Sequence, residues 1–419
     1  MNEKINQNSL AKTTVSENDL PDHHALAGKH SPENSADFMP DTLLAHDPAW
    51  ADNAMVPPIV QSSLFTFKNY NEMVARFKGE SDSNIYSRIS NPTVRAFEEK
   101  MALMEKGDEA LAFASGMAAI SAAVLAHVQT GDRILCVRHV YPDAYRLFQG
   151  FMPRYGVHTD YVDGTDLAAI ETKLSGAKIL YLENPTTMTF ETQDLAAIAK
   201  LAKAYGVITI IDNSYATPIN QTPLTHGIDI VVHSASKYIS GHSDTVAGVL
   251  VANSKIIEHI RSVVVPYMGG KLGPFEAWLL LRGMRTLSIR MARHAQSAQI
   301  LINDLKSHPA ITKVLTANYE QSASLKATSG LFSIDLDPQI NIPRFVDNLK
   351  LFHLGVSWGG HESLVIPAKA SLEQAGTHTS MRDFGIPETM VRLNIGLEDV
   401  QDLKADLHSA LKLADERKM

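Results

Sequence analysis

One lysine stands where a ligand would meet a fixed amine. The apolar run from Ile228 to Val232 leads into a turn of small residues, Ser234, Ala235 and Ser236, which ends at Lys237. A strand end is a rigid support, and small side chains leave room for a ligand beside it. Such an amine could form a covalent imine with a carbonyl compound while the hydroxyls bind a phosphate on the same ligand. A solvated lysine after a strand explains this segment alone equally well.

An acidic residue 25 positions before Lys237 favours the first interpretation. Asp212 follows the run from Val207 to Ile211, at the carboxyl end of a predicted parallel strand, where open α/β sheets bind ligands. A buried carboxylate needs a cationic partner, and the protonated ring nitrogen of pyridoxal phosphate (PLP) is one. This pairing would keep the ring an electron sink for a carbanion at the substrate α-carbon. A helix cap or a metal ligand is the alternative for Asp212, but no acidic or histidine cluster lies close by in sequence.

Two glycine segments and a tyrosine could line the same pocket. Ser115, Gly116 and Met117 lie between a predicted strand and a helix, where backbone N–H groups can approach an anion closely. A plain helix cap by Ser115 is the alternative. Tyr141 follows another strand and could stack on a planar cofactor or simply fill space. The segment 357–360, S-W-G-G, is either a loop beside a pocket or a tight turn.

Three polar side chains could bind anions. Tyr86 and Arg88 offer a phenol and a guanidinium to a phosphate, or belong to a surface loop with a salt bridge. Arg392 lies in an otherwise apolar strand, M-V-R-L-N-I, where a planar guanidinium suits a substrate carboxylate. A buried ion pair of Arg392 with Glu362 or Glu398 is the alternative.

The middle of the chain alternates between apolar runs and helical patterns, which predicts an α/β fold with a mostly parallel sheet. From about residue 289 the pattern changes to a smaller α+β unit, after a long helix interrupted near Gly283. Residues 1 to about 40 are polar and predict a flexible arm. The predicted strands of the main sheet are 110–114, 134–137, 178–182, 207–211, 228–232 and 248–251.

Composition excludes several classes of function. The chain has 419 residues, 45% hydrophobic and 20% charged, with a net charge of −8, which gives no basic surface for nucleic acid or an anionic membrane. No apolar run approaches a membrane span, and the first residues lack the apolar core of a signal peptide. The lone Cys136 lies in an apolar run and predicts buried packing in a reducing compartment. We therefore expect a cytoplasmic protein without a metal, since the spacing of His23, His24, His30 and His46 matches no ligand pattern.

From about residue 50 to the C-terminus, seven motifs occur in an order that resembles the Cys/Met-metabolism family of PLP-dependent trans-sulfuration enzymes. This family includes cystathionine lyases, methionine γ-lyase, cystathionine γ-synthase and acylhomoserine sulfhydrylases. The motifs are Y-S-R-x-x-N-P-T at Tyr86, S-G-M at Ser115, D-N-S-Y at Asp212, S-A-S-K-Y at Ser234, P-F-E-A to R-G-M-R-T-L from Pro274, S-W-G-G-H-E-S-L at Ser357 and R-L-N-I-G-L-E-D at Arg392.

The resemblance implies a role for each candidate residue. Lys237 would bind the cofactor covalently and later shuttle the substrate α-proton. Asp212 would pair with the pyridine nitrogen, and Tyr141 would stack on the ring and act as an acid or base. Ser357 and Arg392 would hold the substrate carboxylate. The implied residues around the cofactor phosphate are Ser115, Gly116, Met117, Ser234 and Ser236, with Tyr86 and Arg88 reaching in from a neighbouring subunit.

The resemblance also implies the architecture of aspartate aminotransferase, fold type I. This has a cofactor domain with a seven-stranded sheet and a smaller C-terminal domain, assembled as a homotetramer of two active dimers. We expect a flexible arm and inter-subunit segment at 1–90, the PLP-binding domain at 91–288 and the C-terminal domain at 289–419. The expected function is a C–S lyase on a sulfur amino acid that releases thiol, ammonia and a 2-oxo acid. A γ-replacement enzyme and a non-catalytic relative are the alternatives.

Several residues depart from the family pattern and leave the substrate open. Ser236 stands where most members have Thr, and Thr187 replaces an asparagine that contacts the cofactor ring oxygen. The presence of Trp358 resembles the pattern of bacterial β-lyases, although the motif Y-S-R-x-x-N-P-T resembles that of the γ-enzymes. Val356 stands where cystathionine γ-lyases tend to have Glu and bacterial β-lyases Tyr. Asp143, where Gly or Cys is common, either meets a distal ammonium, as in cystathionine, or caps the following helix.

Overall fold

The computed structural model describes residues 38–47, 50, 53–375 and 378–418. Most of the predicted N-terminal arm, with His23, His24 and His30, lies outside the described residues. The strands are β1 (Glu109–Phe113), β2 (Arg133–Val137), β3 (His158–Val162), β4 (Ile179–Glu183), β5 (Ile208–Asp212), β6 (Ile230–His233), β7 (Gly248–Ala252), β8 (Ile311–Leu315), β9 (Leu331–Leu336), β10 (His353–Leu354), β11 (Leu364–Pro367) and β12 (Met390–Asn394).

The helices surround two separate sheets. In chain order they are α1 (Pro40–Ala45), α2 (Tyr70–Phe77), α3 (Pro92–Glu105), α4 (Gly116–Leu125), α5 (Pro142–Arg146), α6 (Leu167–Leu174), α7 (Leu195–Ala204), α8 (Thr217–Asn220), α9 (Ser254–Val263), α10 (Val265–Met268), α11 (Pro274–Met284), α12 (Leu287–Leu305), α13 (Ile342–Asp347), α14 (Ala368–Leu372), α15 (Ser380–Asp383) and α16 (Val400–Ala414). Within the described ranges no helix is long and apolar enough to cross a membrane.

The larger sheet has seven strands in the order β1-β7-β6-β5-β4-β2-β3. The strands β3, β2, β4, β5 and β6 run parallel to one another, and β7 is antiparallel to both β6 and β1. Every residue of β4, β6 and β7 is buried, as expected for strands covered by helices on both faces. The predicted α/β fold with a mostly parallel seven-stranded sheet is therefore confirmed.

The six predicted strands of this sheet are all present, with ends that differ by one or two residues. The prediction missed β3, H-T-D-Y-V, which forms one edge of the sheet. Its residues alternate between exposed and partly buried positions, so it lacks the continuous apolar run by which the central strands were found. A pattern that identifies buried strands is weak at an edge, where one side of the strand meets solvent.

The smaller sheet has five strands in the order β10-β11-β12-β9-β8, antiparallel except for the pair β10 and β11. Its core contains buried apolar residues of α12, α13 and α16, among them Leu301, Phe345 and Leu407. This agrees with the α+β character predicted for the C-terminal part. The boundaries at residues 90 and 288 stay predictions, since α12 continues from residue 287 to residue 305 without a break.

The break predicted near Gly283 is present, because α11 ends at Met284 and α12 begins at Leu287. A Cβ on Gly283 would lie 2.5 Å from the carbonyl oxygen of Ile239 and 2.4 Å from that of Ser240, so only glycine allows this close approach. Arg290 then donates hydrogen bonds to the carbonyl oxygens of Gly283 at 2.8 Å and Tyr238 at 2.6 Å. The two helices therefore support the turn that carries Lys237.

Candidate active site

Lys237 follows β6 and points into a group of charged side chains. Its Nζ donates a hydrogen bond to Ser357 Oγ at 2.7 Å and lies 5.4 Å from the centre of the Trp358 ring. The pKa of Lys237 falls from 10.5 to about 8, mainly because the amine is removed from water; nearby Arg392 also lowers the pKa, and Asp212 raises it. At neutral pH roughly a tenth of such amines are unprotonated, against fewer than one in a thousand for an ordinary lysine. The structure thus presents a usable nucleophile at this position.

Asp212 is the last residue of β5 and is only 8% exposed. Its Oδ1 accepts a hydrogen bond from the Ser214 backbone N–H at 2.9 Å. Burial raises its pKa, while the bonds to Ser214 and the nearby His233 and Lys237 lower it. Within the described ranges Asp212 forms no salt bridge. A buried carboxylate without a bonded cation fits the protonated ring nitrogen of PLP.

A second buried acid lies beside Asp212. Glu183 ends β4 and is paired in register with Asp212, so two carboxylates stand next to each other at the carboxyl edge of the sheet. Glu183 Oε2 accepts a hydrogen bond from the Tyr141 backbone N–H at 2.6 Å. Burial is the main cause that raises the pKa of Glu183, and the negative charge of Asp212 adds to it. A cation placed against this edge would relieve that repulsion.

The predicted phosphate loops contact each other. A Cβ on Gly116 would lie 2.9 Å from Ser234 Cβ, so the absence of a side chain lets the two turns meet. Ser115 Oγ accepts a bond from Ala118 N–H at 3.1 Å and caps α4, which confirms the alternative interpretation of that hydroxyl. Ser236 Oγ donates to the Ala247 carbonyl at 3.1 Å and accepts from its N–H at 2.9 Å. With Met117, these turns form a concave backbone surface at a helix N-terminus, which fits a phosphate.

Arg392 lies on β12 and faces Lys237 across the site. Its Nη2 donates to the carbonyl oxygens of Val356 at 3.0 Å and Ser357 at 3.4 Å. The predicted alternative, an ion pair with Glu362 or Glu398, is wrong, since those carboxylates bind Ser243 and Ser363 instead. Burial lowers the pKa of Arg392 to about 10, but the group stays charged at neutral pH. In the part of the chain described here, Arg392 forms no salt bridge, so its charge is available to a ligand.

The glycine-rich segment 357–360 packs closely against the turn that carries Lys237. Gly359 has a φ of +83°, and a Cβ there would lie 2.8 Å from the Tyr238 backbone nitrogen. Its N–H donates to Asn394 Oδ1 at 3.2 Å, which ties the loop to β12. The loop therefore places Ser357 and Trp358 over Lys237.

Tyr141 and Asp143 lie at the start of α5. Tyr141 Oη donates to Asp143 Oδ2 at 2.9 Å, and Asp143 Oδ1 forms an ion pair with Arg146 Nη1 at 2.6 Å. Burial, followed by the charge of Asp143, raises the pKa of Tyr141, so the phenol stays protonated. The predicted helix-capping role of Asp143 is absent, because this carboxylate accepts no backbone hydrogen bond from a described residue of α5.

Tyr86 and Arg88 are not brought to Lys237 of the same chain. Arg88 Nη1 donates to the Pro266 carbonyl oxygen, and Arg88 Cζ lies 5.9 Å from the centre of the Tyr86 ring. Neither residue forms a hydrogen bond or ion pair with Lys237 or Asp212 within the described ranges. Arg88 does line a cavity of about 260 Å³ that Met117 also lines.

The sequence prediction left out three side chains that shape the site. Glu183 ends β4, and an acidic residue at the end of a predicted apolar strand is a signal that could have marked it. Ser214 stands two residues after Asp212, a spacing typical of a side chain that bonds the local backbone. His233, at the end of β6, binds Glu105 behind the site at 2.6 Å. Only the register of the strands shows that these residues meet.

In the described residues no group of three or more acidic, histidine or cysteine side chains could hold a metal.

A mostly parallel sheet with a lysine of lowered pKa and an unpaired buried carboxylate at its carboxyl edge defines a fold-type I PLP-dependent enzyme. The chain belongs to the Cys/Met metabolism PLP-dependent enzyme family, whose profile matches residues 41–412. The resemblance, the PLP cofactor and the class of C–S lyases and γ-replacement enzymes are thus confirmed.

Named relatives agree with this assignment. L-methionine γ-lyase of Pseudomonas putida is 36% identical over 377 residues, which are 88% of this chain and 95% of that protein. O-succinylhomoserine sulfhydrylase of Pseudomonas aeruginosa is 35% identical over 362 residues, or 84% and 89% of the two chains. A crystal structure of an O-acetylhomoserine (thiol)-lyase from Campylobacter jejuni, which holds N'-pyridoxyl-lysine-5'-monophosphate, aligns with a TM-score of 0.84 at 29% identity, over 90% of this chain and 100% of that one.

Proposed function

We propose that this protein is a C–S lyase that eliminates a thiol from the γ-carbon of a sulfur amino acid, with L-methionine as the first substrate to test. With water, L-methionine would yield methanethiol, ammonia and 2-oxobutanoate. The observation that carries the proposal is the group formed by Lys237, Asp212 and Arg392, in which one amine, one carboxylate and one guanidinium face one another without an ion pair among the described residues. The similarity to the L-methionine γ-lyase of Pseudomonas putida supports γ-elimination.

Two residues would hold the reacting ring of the cofactor. Asp212 would pair with the ring nitrogen and keep it protonated, and Lys237 would hold the aldehyde carbon covalently. PLP, when bound, supplies an electron sink that stabilises a carbanion next to the substrate amine. After the substrate amine displaces Lys237, the freed Nζ would accept the α-proton and return it later in the reaction. Its lowered pKa suits this exchange of a proton near neutral pH.

The phosphate would be bound by backbone N–H groups of Gly116 and Met117 and by the hydroxyls of Ser234 and Ser236. The free guanidinium of Arg392, with Ser357, would bind the substrate α-carboxylate in a bidentate manner. Tyr141 would stack on the ring, and its phenol, which donates to Asp143 in this structure, would turn its one proton from Asp143 to the leaving thiolate.

Tyr86 and Arg88 would complete the phosphate site from a second subunit, because their own chain keeps them away from Lys237. This arrangement requires at least a dimer, and we propose a homotetramer of two active dimers located in the cytoplasm. The exposed apolar side chains Tyr70, Phe77, Tyr267 and Met268 support burial against another subunit.

Elimination from cystathionine is the second candidate, and Asp143 favours it. This carboxylate lies beside Tyr141 and is about half exposed, so it could also meet the distal ammonium of a substrate with two amino-acid ends. γ-Replacement on an acylated homoserine shares the early steps and differs in the nucleophile that adds at the γ-carbon.

The test begins with covalent capture of the cofactor. The purified protein is incubated with PLP, reduced with borohydride and digested, and the pyridoxyl group is located by mass spectrometry. We expect it on Lys237, and we expect the Lys237→Ala variant to lose at least about 1,000-fold in kcat. The exposed Lys306→Ala variant is the matched control. A reduced pyridoxyl group on another lysine, or full activity of Lys237→Ala, would contradict the assignment.

The substrate is identified with a panel of L-methionine, cystathionine, cysteine and an acylated homoserine offered with sulfide. 2-Oxobutanoate from L-methionine supports the first proposal, whereas pyruvate from cystathionine indicates β-elimination. Homocysteine formed from the acylhomoserine and sulfide, without turnover of the other substrates, would identify a γ-replacement enzyme instead of a lyase. A larger loss of cystathionine turnover than of methionine turnover in Asp143→Ala would support the role of Asp143 at a distal ammonium.

A further inference from the structure

A chain of polar contacts runs from the Tyr141 hydroxyl away from the site. Tyr141 donates to Asp143, Asp143 pairs with Arg146 at 2.6 Å, and Arg146 Nη2 donates in turn to Gln374 Oε1. Arg146 Nε also donates to the His378 carbonyl oxygen at 3.3 Å. Helix α5 is thereby joined to the polypeptide between α14 and α15, more than 200 positions away in sequence.

The same helix has a second link to that part of the chain. Tyr145 Oη donates to Asp383 Oδ2, and the Tyr145 ring packs edge-on against Phe384 at a centroid distance of 5.5 Å. The last two residues of α5, Tyr145 and Arg146, therefore bind residues before α15 and at its end, which fixes the position of this short helix. Tyr141 is the N-cap of α5.

Exposure indicates that the ion pair contributes little to overall stability. The side chains of Arg146 and Asp143 are 33% and 47% exposed, and pairs of this kind stabilise a fold by about 1 kcal/mol or less. The ion pair can still matter for orientation, because a hydroxyl that must deliver a proton needs its position fixed to a fraction of an ångström. Without Arg146, Asp143 would still bond to the hydroxyl, but its carboxylate could rotate freely about its own side-chain bonds.

We propose that Arg146 is a positioning residue, which orients the Tyr141 hydroxyl through Asp143 and ties that orientation to the segment carrying Gln374 and His378. This rests on the proposed role of Tyr141 as the acid that protonates the leaving thiolate. Arg146 itself does not touch substrate or cofactor.

Charge gives this arrangement a distinctive signature. The charged groups that face the Tyr141 hydroxyl are Asp143 and Arg146 from α5, Asp212 from β5 and Arg392 from β12. Asp143 raises the pKa of Tyr141 and Arg146 lowers it. Neutralising the two partners must therefore shift the ionisation of Tyr141 in opposite directions, whereas a general loss of structure would not.

The first experiment follows tyrosine ionisation by NMR in the cofactor-free protein with ¹³C-labelled tyrosine, in which Tyr141→Phe assigns the resonance. Tyr141 should ionise at a lower pH in Asp143→Asn than in the original chain, because the variant lacks the carboxylate charge that raises the pKa of the phenol. Adding Arg146→Gln to Asp143→Asn should move that ionisation back upward. If Arg146→Gln leaves the ionisation of Asp143→Asn unchanged, the proposed electrostatic contact is absent and the proposal is overturned.

The second experiment measures kinetics with whichever substrate is turned over. Arg146→Gln should lower kcat about 10-fold with KM nearly unchanged, and Arg146→Lys should restore part of the loss. In the Tyr141→Phe background, Arg146→Gln should have no further effect on kcat. An equal loss in that background would show that Arg146 acts by another route. Since the NMR measurement needs neither cofactor nor substrate, it stays decisive even if the proposed reaction is wrong.

Arg133 provides the matched control. It pairs with Asp160 at 3.0 Å, donates to the backbone carbonyls of Lys173 and Ser175, and is 25% exposed. However, it is the first residue of β2 and so lies at the amino end of the strand, away from the carboxyl ends where Asp212 is found. Arg133→Gln removes a similar set of contacts and should leave both kcat and the ionisation of Tyr141 unchanged. Equal effects of Arg133→Gln and Arg146→Gln would refute a specific role for Arg146.

Discussion

Buried charges occur in two neighbouring regions of this protein and are treated in opposite ways. Behind the sheet edge, Glu105 and His233 are fully buried and bind each other at 2.6 Å, and Asn213 Nδ2 donates to the same carboxylate at 2.8 Å. In front of it, Asp212 is also buried, at 8% exposure, yet has no salt bridge within the described ranges. The two regions are neighbours because Asn213, which bonds Glu105, follows Asp212 in sequence.

The difference between the two regions indicates which buried groups serve folding and which serve catalysis. A paired buried charge is compensated within the chain, so its removal should affect folding more than chemistry. An unpaired buried carboxylate costs stability and is retained only where something else brings the opposite charge. Lys237, Asp212 and Arg392 belong to the second kind, and PLP with a substrate carboxylate supplies the missing charges.

The largest effect is expected for Asp212→Asn. An amide cannot keep the cofactor ring nitrogen protonated, so kcat should fall by about 100-fold or more. The pKa of Asp212 is raised in the folded state, so its ionisation opposes folding near neutral pH, and the variant without PLP should unfold at a higher urea concentration than the original chain. Kinetic assays and urea titrations measure the two effects. An Asp212→Asn variant that is active and less stable than the original chain would contradict the assignment of Asp212 to catalysis instead of folding.

His233→Ala should give the next largest effect, on folding instead of chemistry. It removes a buried hydrogen-bond partner of Glu105, which costs about 1–3 kcal/mol in the free energy of unfolding. Urea unfolding of the cofactor-free protein measures this loss. The exposed His158 on β3 is the matched control, and His158→Ala should change the unfolding free energy by less than about 0.5 kcal/mol. Equal losses in the two variants would contradict the assignment of His233 to a structural pair.

Glu183→Gln should have the smallest effect, visible only as a change in pH dependence. The pKa of Glu183 lies above its ordinary value of 4.5 in the folded state, mainly because of burial. Its contribution to stability is therefore fully present below pH 4.5 and is lost as pH rises through the raised pKa. The variant without PLP should lose less stability than the original chain as pH rises from that value.

Unfolding midpoints measured across this pH range, with the exposed Glu171→Gln as control, decide the outcome. Curves of the same slope for the original chain and Glu183→Gln would mean that Glu183 does not carry a raised pKa in the folded protein.

Local patterns were sufficient for the strands that are buried on both faces and for the residues at their ends. The runs before Asp212 and Ser234 are continuous and apolar, and this pattern alone indicates parallel strands whose carboxyl ends meet at one edge. The edge strand β3 was missed because its solvent-facing side chains break that pattern. Arg392 was found because a charged residue in an apolar strand is conspicuous, but the proposed ion pairs with Glu362 and Glu398 did not form.

By itself, the sequence determined which residues carry the chemistry: a lysine after a small-residue turn and an acid after an apolar run depend only on neighbours along the chain. Only the tertiary structure decided which of them meet. The register that sets Glu183 beside Asp212, the approach of Gly359 to the backbone at Tyr238 and the contacts of Arg146 with Gln374 and His378 join residues far apart in sequence. Packing selects such contacts through the shape and burial of whole elements, which no short stretch of sequence contains.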